Sequence, residues 1–227
     1  MILWLLLFLL VIGISFILAF RSMRDYQEIP QKVNVDYSLF LIRQVKTFDV
    51  KILDTIRQEV LVKGGIVSFE RLLKGSETAL TVFGPKNILY RFQNELNLLE
   101  LEDYAAEFTD SRVFVWEVGV KEAAKLNPDH FSDIFSNLPK LEPDEHFFWQ
   151  VILSKDQAQI RAAVSSRDPI RKKILASAQN LNAGGLVKIP RPFSNKQMIE
   201  FYKTRSFSKN NSGPILDSEG IMRLLKV

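Results

Sequence analysis

The feature that most constrains this sequence is a strand-turn-strand-helix pattern that occurs twice. In "SFERLLKGSETALTVFGPKNILYRF" (Ser68–Phe92), two β-rich runs flank a Lys-Gly-Ser-Glu turn, and Gly84-Pro85 ends the second run where a helix begins. Proline cannot donate to a β-ladder but fits the first helical position. "FFWQVILSKDQAQIRAAVSSRDPIRKKILAS" (Phe147–Ser177) repeats the arrangement less clearly. The repetition predicts two copies of one folding unit.

The first copy has the element order β-α-β-β-α-β. Tyr37–Arg43 is predicted to be a strand, Thr47 to cap the next helix, and Gly64-Gly65 to end that helix. The remaining elements are an apolar helical stripe of Ile52, Leu53, Ile56 and Val60, hairpin strands at Ile66–Leu73 and Thr78–Phe83, a helix with Ile88, Leu89, Phe92 and Leu96 on one face, and a strand at Leu98–Leu101. This order is the split β-α-β unit of ferredoxin-like folds.

The second copy follows the same order with weaker signals. Strands are predicted at Arg112–Val118 and Phe147–Leu153, while Gln159–Val164 fits either the hairpin partner or a helix. The other elements are a short helix capped by Asp129 with Phe131, Ile134, Phe135 and Leu138 facing inward, a helix opened by Asp168-Pro169 with Ile170, Ile174, Ala178 and Leu181 on one stripe, and a strand at Leu186–Ile189 after Gly184-Gly185.

Residues 191–227 form a third part of the chain. Ser194 and Gln197 have the spacing of a capping box, and "KNNSG" (Lys209–Gly213) is predicted to be a flexible break. The last segment, "PILDSEGIMRLLKV", is a short amphipathic helix capped by Asp217 or Ser218. We expect it to pack on this domain or to dock on a partner.

The N-terminal segment is predicted to anchor the chain in a membrane. Ile2–Phe20 contains no charge and, at about 1.5 Å per residue, is long enough to span a bilayer as a helix. Arg21 and Arg24 follow at once, which places the residues after the span in the cytoplasm. A cleaved signal peptide is the alternative, but the segment has no basic n-region and no small-x-small site.

These signals together predict an α+β protein with one N-terminal transmembrane helix followed by two tandem ferredoxin-like units. The predicted parts are an anchor at 1–24, a linker at 25–36, units at 37–104 and 105–190, and a helical extension at 191–227.

Charge is distributed unevenly along the chain. Residues 155–227 carry 14 Lys and Arg against five Asp and Glu, a net charge of +9, so the rest carries −5 of the total +4. A basic region favours nucleic acid, anionic lipid or an acidic partner, although a solvated surface is equally compatible. The absence of cysteine excludes disulfides, thiol nucleophiles and cysteine-ligated zinc.

No motif for catalysis, a cofactor or a metal is present. "LLKGSE" (Leu72–Glu77) lacks the glycine spacing of a phosphate-binding loop and predicts a hairpin turn. His146 follows Asp144 and Glu145, but neighbours on a strand point to opposite faces, which disfavours a metal site. His130 is predicted to be an ordinary residue at a helix start. We therefore predict no enzyme, no cofactor and no metal.

The acidic run Leu99–Tyr104 has a structural interpretation as well. Its Glu100, Glu102 and Asp103 are predicted to form a solvated face rather than a catalytic pair.

Basic residues support an alternative function, the binding of nucleic acid or anionic lipid. The candidates are Arg167, Arg171, Lys172, Lys173 and Lys188. Four of them cluster at a helix start, where cations oppose the helix dipole. Ferredoxin-like sheets can also stack RNA bases on exposed aromatics, as the adjacent Phe147, Phe148 and Trp149 or the strand pair Phe114 and Trp116 would allow. The glycine-aromatic pattern of RNA-recognition strands is missing, which favours a core position for these rings.

Three segments carry a resemblance to a known family. They are "NLLELEDY" (Asn97–Tyr104), "FFWQVILS" (Phe147–Ser154) and the terminal "RSFSKNNSGPILDSEGIMRLLKV". Together with the membrane span, the first two resemble the N-terminal membrane-associated region of type IV secretion or conjugation ATPases of the FtsK/HerA-like class, from candidate-phyla bacteria and archaea. The third is similar to the segment that leads into their motor domain, where Leu-x-Thr/Ser-Glu-Glu-Leu is usual. Here Leu216-Asp217-Ser218-Glu219 matches, whereas Gly220 and Ile221 depart.

The resemblance implies a stand-alone relative without a motor domain, without ATPase activity and without a catalytic residue to carry over. We expect a non-enzymatic, single-pass protein of the cell (inner) membrane whose cytoplasmic domain docks onto protein subunits of a membrane assembly. That assembly is expected to be a type IV secretion or DNA-transfer system, with a separate motor ATPase as one candidate partner. The alternative is a membrane-tethered module that binds nucleic acid or anionic lipid. Steep weakening of binding with salt would distinguish the alternative.

Overall fold

The computed structural model describes residues 10–16, 36–120, 127–131, 133–136, 138–154, 158–178, 183–208 and 216–225. The chain divides into two compact units, residues 1–33 and 34–227. In the first unit, residues 10–16 form a helix, α1, with exposed side chains. No helix within the described residues has both the length and the hydropathy needed to cross a bilayer. Most of the anchor predicted at Ile2–Phe20, with Arg21 and Arg24, lies outside the described residues.

The second unit is built on one eight-stranded antiparallel sheet, which confirms the predicted α+β class. Its strands are β1 (Tyr37–Leu41), β2 (Val67–Lys74), β3 (Glu77–Pro85), β4 (Leu99–Leu101), β5 (Val113–Val120), β6 (His146–Leu153), β7 (Ala158–Ser165) and β8 (Leu186–Ile189). The spatial order is β4-β1-β3-β2-β6-β7-β5-β8. Each half of the chain thus supplies four neighbouring strands, and the pairing of β2 with β6 joins the halves.

Helices complete the unit. They are α2 (Val50–Val62), α3 (Lys86–Leu89), α4 (Gln93–Leu96), α5 (Asp133–Ser136), α6 (Pro169–Ala178), α7 (Asn195–Thr204) and α8 (Ser218–Leu225). The first hairpin turns at Gly75-Ser76, since Lys74 pairs with Glu77 and Gly75 has a φ of +54°. The segment for which a helix remained an alternative is strand β7, because Ile160, Ala162 and Val164 alternate into the core.

The larger apolar core lies on one face of the sheet, which we call the helical face. The predicted stripe of α2 and the predicted face of the α3–α4 region are buried there. The predicted cap of α2 is wrong. Asp49 caps this helix by accepting from the Ile52 amide at 2.9 Å, because Thr47 ends a preceding 3₁₀ turn and donates to the carbonyls of Gln44 and Glu95.

Helix α6 turns a different face to the sheet than its apolar stripe suggests. Leu175 is fully buried, whereas Ile170 is 71% exposed and Ile174 is 44% exposed. Arg171 fixes this rotation, since its guanidinium donates to both carboxylate oxygens of the buried Glu145, at 2.9 and 2.7 Å. Two of the four residues in the predicted stripe therefore lie at the surface.

Helix α8 packs on the same unit rather than projecting as a docking element. Asp217 caps it by accepting from the Gly220 amide at 2.8 Å. Ile221 and Leu224 are fully buried in the larger core. The Ser218 hydroxyl donates to Asp54 on α2, and Arg223 pairs with Asp129, which belongs to a 3₁₀ turn in the second half. This helix thus bridges elements from both halves of the chain.

We expect Leu224→Ala to lower the free energy of unfolding of residues 34–227 by about 2–5 kcal/mol, because the site is fully buried. Leu99→Ala is the matched control, since Leu99 is 47% exposed on an edge strand and should cost less than about 1 kcal/mol. Urea unfolding measures both. Equal losses would contradict the docked position of α8.

Candidate functional site

The second face of the sheet carries a line of buried polar side chains, which we call the polar row. Cross-strand register places Thr81, Glu70, Gln150, Arg161 and Glu117 side by side on β3, β2, β6, β7 and β5. Each residue is at most 1% exposed. Charged side chains are almost never this buried unless they are paired, so the polar row requires partners from elsewhere in the chain.

Glu70 is the most heavily hydrogen-bonded member of the polar row. Its Oε1 accepts from Ser68 at 2.9 Å, from Gln150 at 2.9 Å and from the Nε of Arg205 at 3.0 Å. Its Oε2 accepts from the Tyr104 hydroxyl at 2.7 Å and from Arg205 Nη2 at 3.3 Å. Five donors on one carboxylate compensate for the loss of its hydration.

Arg205 is the counter-charge of Glu70. Its guanidinium is 1% exposed, binds both oxygens of Asp103 and donates to the Lys203 carbonyl at 2.7 Å. Burial alone would lower the pKa of Arg205, but Glu70 and Asp103 outweigh burial and raise that pKa well above its usual range. The residue adopts a left-handed backbone with φ of +50°, which ends α7 and turns the chain across the sheet.

The prediction that the acidic run Leu99–Tyr104 forms a solvated face is therefore only partly correct. Asp103 is not part of a solvated face, because it is held by the buried Arg205. Glu100 accepts from Lys86, Tyr90 and Ser38, each at 2.8 Å. Glu100 thus connects the run to β1 and α3, and Asp103 connects it to Arg205 at the end of α7.

A second set of contacts covers the other end of the polar row. Arg161 donates to the carbonyls of Phe201 and Ser206 and to Gln159, while Arg191 pairs with both oxygens of Glu117. Burial lowers the pKa of Arg161 to about 10, so the group stays charged at neutral pH. Neutral acceptors hold Arg161, and the charge of Glu117 lies directly across the ladder.

Helix α7 closes this face with a smaller apolar cluster. Met198, Ile199 and Tyr202 pack there against residues that include Phe108 and Phe148. The hydroxyls of Tyr104 and Tyr202 lie 2.9 Å apart. Burial, with the Glu70 charge, raises the pKa of both phenols well above the usual range, so both remain protonated donors.

We expect Glu70→Gln to lower the free energy of unfolding by about 3–5 kcal/mol, because it leaves a buried guanidinium with one carboxylate fewer. Glu59→Gln is the matched control. Glu59 pairs with Arg91 in a bridge whose side chains are 33% and 60% exposed, so its loss should cost about 0–1 kcal/mol. Urea unfolding of residues 34–227 gives both values. A small loss for Glu70→Gln would contradict the dry environment assigned to the polar row.

A cleft of about 380 Å³ opens at one end of the same face. Lys74, His146 and Ser165 lie side by side along it, because they are register partners on β2, β6 and β7. Phe148 is one of its apolar walls, and its ring stacks on that of His146 with centroids 5.7 Å apart. Burial, reinforced by the Lys74 charge, lowers the pKa of His146 below 6.5, which leaves the imidazole neutral at pH 7.

The lowered pKa of His146 predicts a pH dependence of stability. Below about 6.5 the unfolded chain binds protons that the folded chain resists, so stability should rise with pH from the folded-state pKa up to about 6.5. His146→Gln should flatten this part of the profile relative to that of the unsubstituted chain. Thermal unfolding between pH 5 and 7.5 measures the difference.

The predicted cationic residues do not form one free cluster. Arg171 is bound to Glu145, and the Lys172 ammonium donates to the Ser111 carbonyl at 2.6 Å. Lys188 lies on β8 with its ammonium 4.7 Å from the centroid of the Phe114 ring. Lys173 is exposed on α6. Arg167, 79% exposed and 3.9 Å from Asp144, lines the cleft.

The aromatic residues lie mainly in the cores. Phe147 and Trp149 are fully buried on the helical face, Phe148 is in the smaller cluster, and Trp116 belongs to the larger core with Phe114 packed against it. No group of His, Asp or Glu in the described ranges is arranged to hold a metal ion. Glu145, which lies next to His146 in sequence, is occupied by Arg171 and Ser166.

Sequence reasoning missed the polar row. A local signal was present, since "VWEVG" and "QIRAAV" each place a single charge inside a β-rich run, and "SFERLL" places Glu70 there with Arg71 beside it. Within a strand, such a charge alternates with apolar neighbours and marks the face opposite the main core. The partners Arg191 and Arg205 give no comparable signal, because the loops that carry them are polar in any case.

Comparison with known proteins gives no family model that matches this sequence and no curated protein that is significantly similar to it.

Proposed function

We propose that this protein is a membrane-anchored, non-enzymatic docking module. Its anchor is the uncharged segment Ile2–Phe20 in the inner membrane, and its α+β unit lies in the cytoplasm and attaches to another subunit of a membrane assembly. The resemblance noted in the sequence supports a type IV secretion or DNA-transfer system, with a separate motor ATPase as a partner.

We further infer that both halves of the sheet are ferredoxin-like units. Counted from its own first strand, each half has the order 4-1-3-2, and each has a helical segment between its first two strands and another between its last two. This is the arrangement of a split β-α-β unit. Two such units joined through β2 and β6 make a single platform, which suits a scaffolding role.

The observation that carries the docking proposal is the outer face of α6. Ile170, Lys173 and Ile174, which we call the α6 surface, lie within one helical turn of each other. Both isoleucines are exposed, at 71% and 44%, although the helix is anchored by Leu175 beneath them. An apolar pair beside an exposed cation fits a protein groove that has an apolar floor and an acidic rim.

An anionic bilayer is the second candidate for this surface. Helices that lie on membranes present apolar residues flanked by Lys or Arg. The α6 surface has this composition over one helical turn, with two isoleucines and one lysine. Binding to a bilayer would be sensitive to salt, whereas an apolar protein contact would depend on it only weakly.

Crosslinking in native membranes tests the proposal. A photo-reactive amino acid in place of Ile170 in the full chain should give a discrete adduct with one protein subunit. Val62 is the matched control position, because it is 87% exposed at the end of α2 and outside the α6 surface. Ile174→Ser should lower the adduct yield by roughly tenfold, as expected for a contact worth about 1.4 kcal/mol, with no change in thermal stability.

Two outcomes would oppose the proposal. Equal adducts from positions 170 and 62 would mean that α6 has no specific partner. Flotation of residues 34–227 with phosphatidylglycerol vesicles, lost at high salt and on Lys173→Gln, would assign the α6 surface to the bilayer instead. Residues 34–227 suit this assay because they contain both apolar clusters.

A further inference from the structure

The cleft at the end of the polar-row face has an unusual balance of charge. Lys74, Arg112 and Arg167 line it together with the carboxylates of Glu107 and Asp144. With His146 neutral, these groups give the cleft a net charge of +1. The guanidinium groups of Arg161, Arg191 and Arg205, in contrast, are held by buried acceptors.

The cations of the cleft remain available to a ligand. Within the described ranges, the side chains of Lys74 and Arg112 have no hydrogen-bonded partner, and both residues are exposed. Arg167 reaches Asp144 only at 3.9 Å and is 79% exposed. Three cations around one concave site are suited to a phosphate group, which accepts several charge-assisted hydrogen bonds at once.

The apolar wall of the cleft is a pile of parallel rings. The ring of Phe148 stacks on that of His146, with planes 5° apart, and on that of Tyr104, with centroids 5.1 Å apart and planes 6° apart. Phe108 packs against the same ring at 4.9 Å. All four residues line the cleft. Phe148 and Phe108 are buried, so the half-buried rings of His146 and Tyr104 offer the surface on which a planar ring system such as a nucleobase can stack.

We propose that this cleft binds a nucleoside monophosphate, either free or as the terminal nucleotide of a single strand. The phosphate lies among Lys74, Arg112 and Arg167, the base lies against the ring pile, and Glu107 or Asp144 accepts hydrogen bonds from sugar hydroxyls. The volume of about 380 Å³ is in the range of small-ligand sites. A site for inorganic phosphate would not need the aromatic wall, and a site for an uncharged ring would not need three cations.

This site is independent of the docking proposal. The cleft opens on the polar-row face, whereas α6 packs its Leu175 into the core of the helical face. The variants that test the two proposals have no residue in common, so either proposal can fail alone.

His146 provides the readout. The chain has two histidines, so the full chain in detergent micelles with [13C]histidine gives two imidazole signals, which His130→Gln assigns. Adenosine 5′-monophosphate should shift the His146 signal saturably and raise the pKa of His146, because a phosphate anion nearby favours the imidazolium. The exposed His130 should not respond.

The charged wall is tested by substitution. Lys74→Gln combined with Arg112→Gln should weaken binding by about tenfold or more, as expected for the loss of charge-assisted hydrogen bonds. Lys51→Gln is the matched control, since Lys51 is exposed on α2 and does not line the cleft. Neither the double substitution nor the control removes a residue of the buried network, so both variants should remain folded. Unchanged thermal unfolding temperatures would show this.

The aromatic wall is tested by comparing ligands. Adenosine 5′-monophosphate should bind more tightly than ribose 5-phosphate, and both should bind more tightly than adenosine. A tetranucleotide with a 5′-phosphate that binds more tightly than the mononucleotide would assign the site to a strand end, and equal affinity would assign it to the free nucleotide. Three results would overturn the proposal: no shift at millimolar nucleotide, equal shifts at His130, or equal binding of ribose 5-phosphate and adenosine 5′-monophosphate.

Discussion

The buried pair of Glu70 and Arg205 is the interaction on which the rest of the polar-row face depends. It joins residues 135 positions apart, and Asp103 brings in the linker between the two halves. Removing both charges from water costs several kcal/mol, so such a pair contributes little net stability. What it supplies is geometry. Arg205 binds both carboxylates at the end of α7, and these bonds position α7 over the sheet.

Helices and loops of the chain cover both faces of the sheet, and this determines which surfaces are accessible to a ligand or partner. Helix α7 and residues 205–208 lie over the polar row, while α8 fills the helical face between elements of both halves. The centre of the sheet on the polar-row face, which would have to be open to bind nucleic acid, is therefore occupied by Arg205 and Tyr202. What remains is at the margins, namely the cleft at the ends of β2, β6 and β7 and the outer face of α6.

Local signals predicted the elements well, and long-range contacts account for what they missed. The capping box of Ser194 and Gln197, the hairpin turn at Gly75 and the succession of strands and helices along each half depend on neighbours in sequence, so they could be inferred. The rotation of α6 could not be inferred, because Ile174 and Leu175 are adjacent and the Arg171–Glu145 pair selects between them. The cleft could not be inferred either, because its walls come from four strands and the segments between them, which only the folded sheet brings together.

Tyr104 connects the buried network with the cleft. Its hydroxyl donates to Glu70, while its ring lines the cleft and stacks on Phe148. Both ends of the side chain are thus fixed by contacts that do not involve a ligand. A ring held in this way loses little conformational entropy when a ligand packs against it, so binding does not have to order the site first. The connection also links the cleft to the buried pair, because Glu70 accepts from the Tyr104 hydroxyl while it binds Arg205. The network is therefore part of the binding site even though none of its charges reaches the cleft.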